Sequence, residues 1–490
     1  MQNPTNALQG LFDAEDFRKN GHALVEQLAD YLGQCQRGEP MPVLPWKKPN
    51  DNLKEWREDW ASEEAASFSD LSARLLESSI HTHHPHYVGH QVVPPAPTAI
   101  LADFLASFIN NGTAVYEMGP AAVPVERLLM QWLGKHFGFP EQETDGVMVS
   151  GGSLGNLTAL LAARQIGTGA DVWKEGNPAQ QRLAVMVSEE AHYCVARAVQ
   201  VMGLGEEGVI KVPADENFQM DTTQLPRLYE EAKAAGKQVF AVVGSACTTS
   251  TGTYDPLDAI GEFCEEYNLW FHVDGAHGAA AALTEKYGYL LKGIEKAHSV
   301  VIDFHKMMLT PSLTTGVVFR KGQDSFAAFA QKAAYLLDEH EQHWYDVAGR
   351  TIECTKKGMS FKPYMLLRVH GEEALADYIT HMYDLGKAFA THIETLEDFE
   401  LQAMPMCNIV CFRYRPQGVG EKDLNELNAQ IRQAVIENGN FYCVHTVVRG
   451  KRYLRTALMN PLTEMEDLKE LLTEVRSLSK RFLPTLHRMS

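Results

Sequence analysis

Five short stretches of the chain carry side chains that could do chemistry, and each adjoins an apolar run. In Ser299-Val300-Val301-Ile302-Asp303-Phe304-His305-Lys306-Met307 a β-branched strand pattern delivers a His-Lys pair at its carboxyl end. A lysine held against an apolar interior must be paired, reach solvent or give up its proton, and the unprotonated amine is the form that makes Schiff bases. Lys306 is therefore either a solvated loop residue or a reactive amine. In Val147-Met148-Val149-Ser150-Gly151-Gly152-Ser153-Leu154-Gly155-Asn156 a strand breaks into glycines and a helix begins. Close backbone approach, the helix N-terminus and the Ser153 hydroxyl suit an anion there. The stretch has neither a GK[ST] lysine nor a GxGxxG pattern, so a lone phosphate monoester fits better than a nucleotide. Trp270-Phe271-His272-Val273-Asp274 ends a strand in a carboxylate, which either caps a turn or holds a proton on a ligand's ring nitrogen. After Leu183 to Ser188, His192 either starts a surface helix or stacks on a planar ligand. The hydroxyl-rich loop from Gly244 to Gly252, with Thr248 among its donors, is either a turn or a further contact to that ligand.

Taken together these features are more specific than any one alone. An anion cradle, a flat stacking ring, a buried carboxylate and a Schiff-base lysine, all at carboxyl ends of strands in one sheet, describe a site for pyridoxal 5'-phosphate.

The elements that must position them follow from the apolar period. Runs at Gly146 to Ser150, Leu183 to Ser188, Val209 to Val212, Val239 to Gly244, Leu269 to Val273 and Val300 to Phe304 alternate with helical stretches, and Thr314 to Arg320 adds a strand. Runs apolar on both faces and separated by helices predict an α/β fold, a mainly parallel sheet flanked by helices, which binds ligands outside the strands' carboxyl ends. Before it, helical spacing predicts helices over Phe12 to Leu32, with Asp13 or Asp16 as N-cap, Ile100 to Ile109 and Val125 to Phe137; Pro40 to Pro49 reads as an extended connection. After it, Met404 to Tyr414, Phe441 to Val448 and Tyr453 to Leu458 predict strands, with helices around Glu421 to Asn438 and Glu464 to Phe482. The expected division is a helical N-terminal arm (1–95), a large α/β domain (96–370) and a small α+β C-terminal domain (371–490).

Composition narrows the function classes. A chain of 490 residues with 45% hydrophobic and 22% charged residues is an ordinary globular protein with room for more than one domain. A formal net charge of -19 argues against nucleic acid and anionic membrane as partners. With no long apolar run, a cytoplasmic location is expected. The eight cysteines show no CxxC pair. Cys407 and Cys411 read as one face of a strand, and the histidines at 81, 83, 84, 86 and 90 lack interleaved cysteine or carboxylate, so no metal is expected.

From His84-Pro85 to the Arg455 strand, these motifs resemble the group II pyridoxal-phosphate-dependent amino-acid decarboxylases, of fold type I. The resemblance implies that Gly152 and Ser153 bind the cofactor phosphate, His192 stacks on the ring, Asp274 pairs with the pyridine nitrogen and Ala276 packs against the ring. Lys306, following His305, forms the Schiff base. Ala334-Tyr335-Leu336 resembles the start of the family's mobile loop, whose tyrosine is implicated in protonating the intermediate. Departures are Cys247 where many members carry Gly, Gly275 for Ala, His277 for an aromatic residue and Met307 for Trp.

The activity implied is decarboxylation of an L-amino acid to its amine and carbon dioxide, with Tyr335 or His192 returning the proton. The His84 to His90 segment and the His-Lys-Met run resemble the diaminobutyrate decarboxylase branch. By the same resemblance His90 lines the substrate side, which favours a short polar substrate such as 2,4-diaminobutyrate. The alternatives are acidic amino acids (aspartate, glutamate, cysteine sulfinate), or a carbon–carbon lyase or aminotransferase with the same cofactor. The amphipathic arm and the family both point to a homodimer with its site at the subunit boundary.

Overall fold

The apolar runs are too hydrophobic to leave either face in water, and they assemble into a sheet covered on both sides. The computed structural model describes residues 8, 10–62, 66–169, 171–177, 182–327, 329, 343–345 and 347–483. Among these, strands β1 (Asp145–Val149), β2 (Arg182–Ser188), β3 (Val209–Val212), β4 (Lys237–Ser245), β5 (Trp270–Asp274), β6 (Ser299–Asp303) and β7 (Thr315–Phe319) form a seven-stranded sheet. Its order is β1-β7-β6-β5-β4-β2-β3. Every residue of β1, β5, β6 and β7 is buried, as expected of strands sandwiched between helix layers.

Only β7 runs against its neighbours: it pairs antiparallel with β1 and β6, whereas β2, β3, β4, β5 and β6 pair in parallel. The carboxyl ends of β1, β2, β4, β5 and β6 therefore share one edge with the amino end of β7. The helix Gly152–Gly167 follows β1 and presents Gly155, Ala159 and Ala162 as buried small residues, which lets it lie close against the sheet.

The second sheet is antiparallel, β8 (Phe399–Leu401), β9 (Ile409–Tyr414), β10 (Val444–Val448) and β11 (Lys451–Ala457), in the order β10-β11-β9-β8. The short β8 was not expected from the sequence. The helix Phe361–Glu394, kinked at Gly371 (φ 78), carries the chain toward this sheet. One apolar cluster spans both sheets, with Phe271 and Val300 from the first and Ile409 and Leu454 from the second.

At the N-terminus the helix Ala14–Gln36 is capped by Asp13, whose carboxylate accepts from the Glu15 and Asp16 amides at 2.8 and 3.0 Å. Pro49 does not end the extended connection; it opens the helix Pro49–Trp60, where its missing N–H costs nothing. The helix Phe68–Glu77, capped by Ser67, is a further element the apolar spacing did not reveal. Among the described residues no helix is long and apolar enough to cross a membrane.

Gly275, just past β5, shows how tightly the site edge is packed. A Cβ there would stand 2.5 Å from Ala279 Cβ and 2.9 Å from the Val301 carbonyl oxygen. Gly275→Ala is expected to lower stability by about 1–3 kcal/mol in denaturant titrations. The double change Gly275→Ala/Ala279→Gly should recover only part of the loss, because the Val301 carbonyl belongs to the sheet.

Candidate active site

At the carboxyl edge of the large sheet lies a cavity of about 290 Å³. Gly152, Ser153, His192, Asp274, Ala276, His305 and Lys306 all line it, so residues spread across more than 150 positions of sequence meet in one place.

The anion cradle forms where β1 gives way to the helix Gly152–Gly167. Gly151 takes φ 105, a conformation that favours glycine, and a Cβ on Gly152 would stand 3.0 Å from Asp303 Oδ2. The first amides of a helix have no carbonyl partner within it, so Gly152, Ser153 and the exposed Ser153 side chain present donors at this end. The turn is tied to the sheet from below. Asn156 Nδ2 donates to the Gly152 carbonyl at 3.0 Å while its Oδ1 meets His272 Nε2 at 2.8 Å, and His272 Nδ1 meets Ser299 Oγ at 2.9 Å. Burial pushes the His272 imidazole down to about 4, so this bridge is neutral.

Asp274 closes β5 and keeps 8% of its exposure. Its Oδ1 accepts from the Ala276 amide at 3.2 Å, and the Cys194 thiol lies 4.0 Å from Oδ2. Burial and then the Asp274 charge hold that thiol protonated. His192 is half-buried and caps the helix Tyr193–Val201, its Nδ1 accepting from the Cys194 amide at 3.4 Å. Desolvation lowers its imidazole despite the opposing pull of Asp274, and Lys306 lowers it further.

Lys306 is a mostly buried ammonium rather than a free loop residue or a low-pKa amine. Its Nζ stands 2.9 Å from Asp303 Oδ2, with side-chain exposures of 20% and 2% for the two residues. Burial pulls the ammonium down, but Asp303 and then Asp274 outweigh it and the net shift is upward. Asp303 in turn is raised by burial, yet Lys306, His305 and the Thr315 hydroxyl bring it below the ordinary carboxyl range. His305 Nδ1 accepts from the Thr314 amide at 3.1 Å, which fixes the loop that carries the lysine.

Three expected residues are not in this set. Thr248 is buried within its own loop: its hydroxyl lies 2.8 Å from that of Thr251 and accepts from the Thr253 amide at 3.1 Å, while Thr249 lines the cavity instead. His90 is exposed, its ring 5.8 Å from that of Tyr442, and does not line the cavity. Tyr335 lies outside the described residues. Conversely, Asp303 is a partner of Lys306 that sequence reasoning passed over. It carries the same signal as Asp274, a carboxylate closing an apolar strand. Arg455 of β11 is also buried, and its Nη2 donates to Gln91 Oε1 at 3.0 Å.

The donor set suits pyridoxal phosphate: helix-start amides and a hydroxyl for the phosphate, a carboxylate for the ring nitrogen, an imidazole beside it and an amine held by a displaceable salt bridge. Comparison with known proteins agrees. The family described as "Pyridoxal-dependent decarboxylase conserved domain" matches residues 51–415. The chain is 29% identical over 497 residues to an L-2,4-diaminobutyrate decarboxylase of Acinetobacter baumannii, covering 95% of this chain and 97% of that one. It is 26% identical over 474 residues to an aromatic-L-amino-acid decarboxylase of Bacillus atrophaeus, covering 95% and 96%. Among solved structures, the glutamate decarboxylase domain of diaminobutyrate-pyruvate transaminase and L-2,4-diaminobutyrate decarboxylase from Vibrio parahaemolyticus superposes with a TM-score of 0.86. That match has 25% identity and covers 98% of this chain and 100% of that one. The chain belongs to the pyridoxal-phosphate-dependent amino-acid decarboxylases and is a carboxy-lyase of the fold type I class.

Proposed function

We propose that the chain decarboxylates an L-amino acid with a short polar side chain, 2,4-diaminobutyrate first among them, to the amine and carbon dioxide. When bound, pyridoxal phosphate supplies an electron sink for the bonding pair left by the departing carboxylate. The chain's own residues do the rest. Gly152 and Ser153 would hold the phosphate, and His192 and Ala276 would flank the ring. Asp274 would keep the proton on the pyridine nitrogen by its charge. Lys306 would be the attachment point, with Asp303 receiving its ammonium whenever the amine is free. His192 and Tyr335 are the two candidates for returning a proton to Cα.

What supports a diamine is the 29% identity over 497 residues to an L-2,4-diaminobutyrate decarboxylase; His90, exposed outside the cavity of one chain, would meet a substrate side chain only where a second copy completes the site. Desolvation by the surrounding protein, then the Arg455 and Arg432 guanidiniums, lower its imidazole below the ordinary histidine value. A neutral ring accepts a hydrogen bond from a terminal ammonium and cannot act as a cationic clamp. The second reading, an acidic amino acid, draws on the same two guanidiniums, which would attract a side-chain carboxylate. Carbon dioxide release across diaminobutyrate, aspartate, glutamate, cysteine sulfinate and aromatic amino acids separates them. Diaminobutyrate is expected to give the highest kcat/KM and aromatic substrates the lowest. His90→Phe should cost diaminobutyrate roughly tenfold in kcat/KM, the worth of one hydrogen bond to a charged group, and acidic substrates less. Equal efficiencies in variant and parent would end the preference.

The Lys306–Asp303 pair gives a stability test on cofactor-free protein. Asp303→Asn leaves the ammonium short of its nearest anion. The expected loss is about 2 kcal/mol, below the roughly 3–5 kcal/mol of a fully buried pair because Lys306 keeps part of its exposure. Since the folded pKa of Asp303 is depressed, its contribution is present above the ordinary carboxyl range and fades as pH falls through the depressed value. Lys306 is raised, so its share persists below the ordinary lysine range and is lost only as pH climbs past the raised value. Denaturant midpoints of parent and variant should differ at neutrality and converge in acid.

A cytoplasmic homodimer completes the proposal. Phe17 of the N-terminal arm packs against Phe104 and Phe108 with ring centroids 6.2 and 5.4 Å apart, yet Phe108 keeps 68% exposure and Leu101 keeps 55%. An apolar ridge this open favours a second copy as its cover. Light scattering is expected to give twice the chain mass, falling to one in Leu101→Glu/Phe108→Glu. An active parent monomer would contradict it.

A further inference from the structure

Beside the catalytic groups, the wall of the cavity holds a second cluster that the decarboxylation chemistry does not use. Cys247 and His277 line the cavity, and Cys407, on the segment leading into β9, reaches the same spot. The two sulfurs are 3.7 Å apart, and with a ring nitrogen of His277 they form a set whose members all lie within 4.8 Å of one another. Their exposures are 8%, 0% and 2% for Cys247, Cys407 and His277.

Hydrogen-bond accounting shows which nitrogen is available. Asn408 Nδ2 donates to the Leu458 carbonyl at 2.8 Å, which turns its Oδ1 toward His277 Nε2, also 2.8 Å away. Nε2 therefore carries the proton and donates it, leaving Nδ1 a buried acceptor with no hydrogen-bond partner among the described residues. An orphan of this kind costs about 1–3 kcal/mol unless something occupies it.

We propose that Cys247, Cys407 and His277 Nδ1 form a binding site for a thiophilic divalent cation, zinc by its geometry, in the wall of the cofactor cavity. Two thiolates each about 2.3 Å from a tetrahedral zinc stand roughly 3.8 Å apart, close to the spacing already present. Asn408 then serves as the outer partner that fixes the tautomer of a metal-bound histidine. Each thiol loses its proton to solvent on binding, and two thiolates cancel the charge of the ion. Lys306 and Arg455, whose charges both act on Cys247, would thus face a neutral centre rather than a dication. Three protein ligands leave a fourth position, and with Cys247 and His277 on the cavity surface it is open to a small donor there.

The test titrates cadmium into reduced, cofactor-loaded protein. It is read by thiolate-to-cadmium charge-transfer absorption in the ultraviolet and by metal retained after gel filtration. A single tightly held cadmium per chain is expected, displaceable by zinc. Affinity should fall at least about tenfold in both Cys407→Ser and Cys247→Gly, each of which removes one ligand. The two variants remove ligands from different segments of the chain, so the second guards against a fold defect in the first, and the retained cofactor of each is checked. Cys354→Ser, which removes an exposed thiol, should bind as the parent does. The proposal is overturned if the reduced parent retains no ion, or if both ligand variants bind as tightly as the parent. Recovery of Cys247 and Cys407 as a disulfide under the reducing conditions of the titration also overturns it.

Discussion

A cation drawn out of water needs anions at contact distance, and the placement of Lys306 imposes that demand on everything around it. Asp303 answers it directly at 2.9 Å, and Asp274 adds its field from the next strand. Two carboxylates this deep need cations and donors close by, and Lys306 supplies the cation. They arise from the ends of β5 and β6, which pair in parallel with Asp274 opposite Val301. A parallel sheet delivers its strand ends to one edge by construction, so the charges meet without distortion of either strand. The neutral bridge His272–Asn156–Gly152 then fixes the anion cradle to the same edge without adding charge to the balance.

Much of this was legible in the sequence because each functional group closes an apolar run. Lys306, Asp274, Gly152, Ser153 and His192 are each found at a change of pattern, and the strand runs that precede them correspond to β1, β2, β5 and β6. The reading weakened wherever position depends on partners far along the chain. The protonation state of Lys306 turns on a carboxylate that the sequence placed inside a strand. Thr248 and Thr249 are adjacent hydroxyls, and only the loop's internal bonds decide which one faces the cavity. His90 sits on the exposed side of a segment whose register is set by the Val88 amide donating to the Tyr442 carbonyl at 3.1 Å. The pairing of 247, 277 and 407 leaves no trace in spacing at all.

The small sheet is more than a neighbour of the site. Asn408, at the entrance to β9, holds His277 on one side and reaches Met307 Sδ at 3.3 Å on the other, next to the lysine itself. Arg455 of β11 lies buried and bonded to Gln91 of the N-terminal segment. A displacement of the small sheet relative to the large one would therefore be felt at the cavity wall through fixed polar contacts, and the shared apolar cluster resists such a shift.

The reversed strand β7 has its own bearing on the lysine. Asp303 and Thr315 face each other in the β6–β7 ladder, so residues 304–314 form a closed loop pinned at both ends, with Lys306 near its root. A short tethered loop has already surrendered the conformational entropy that a free lid would lose on each cycle. When the amine lets go of one partner and takes another, only the four-carbon stem of the side chain has to swing, and the backbone stays where the sheet put it. Lys306 is thus a pendulum on a fixed hinge, returning to Asp303 by a short swing of its side chain rather than by refolding a loop.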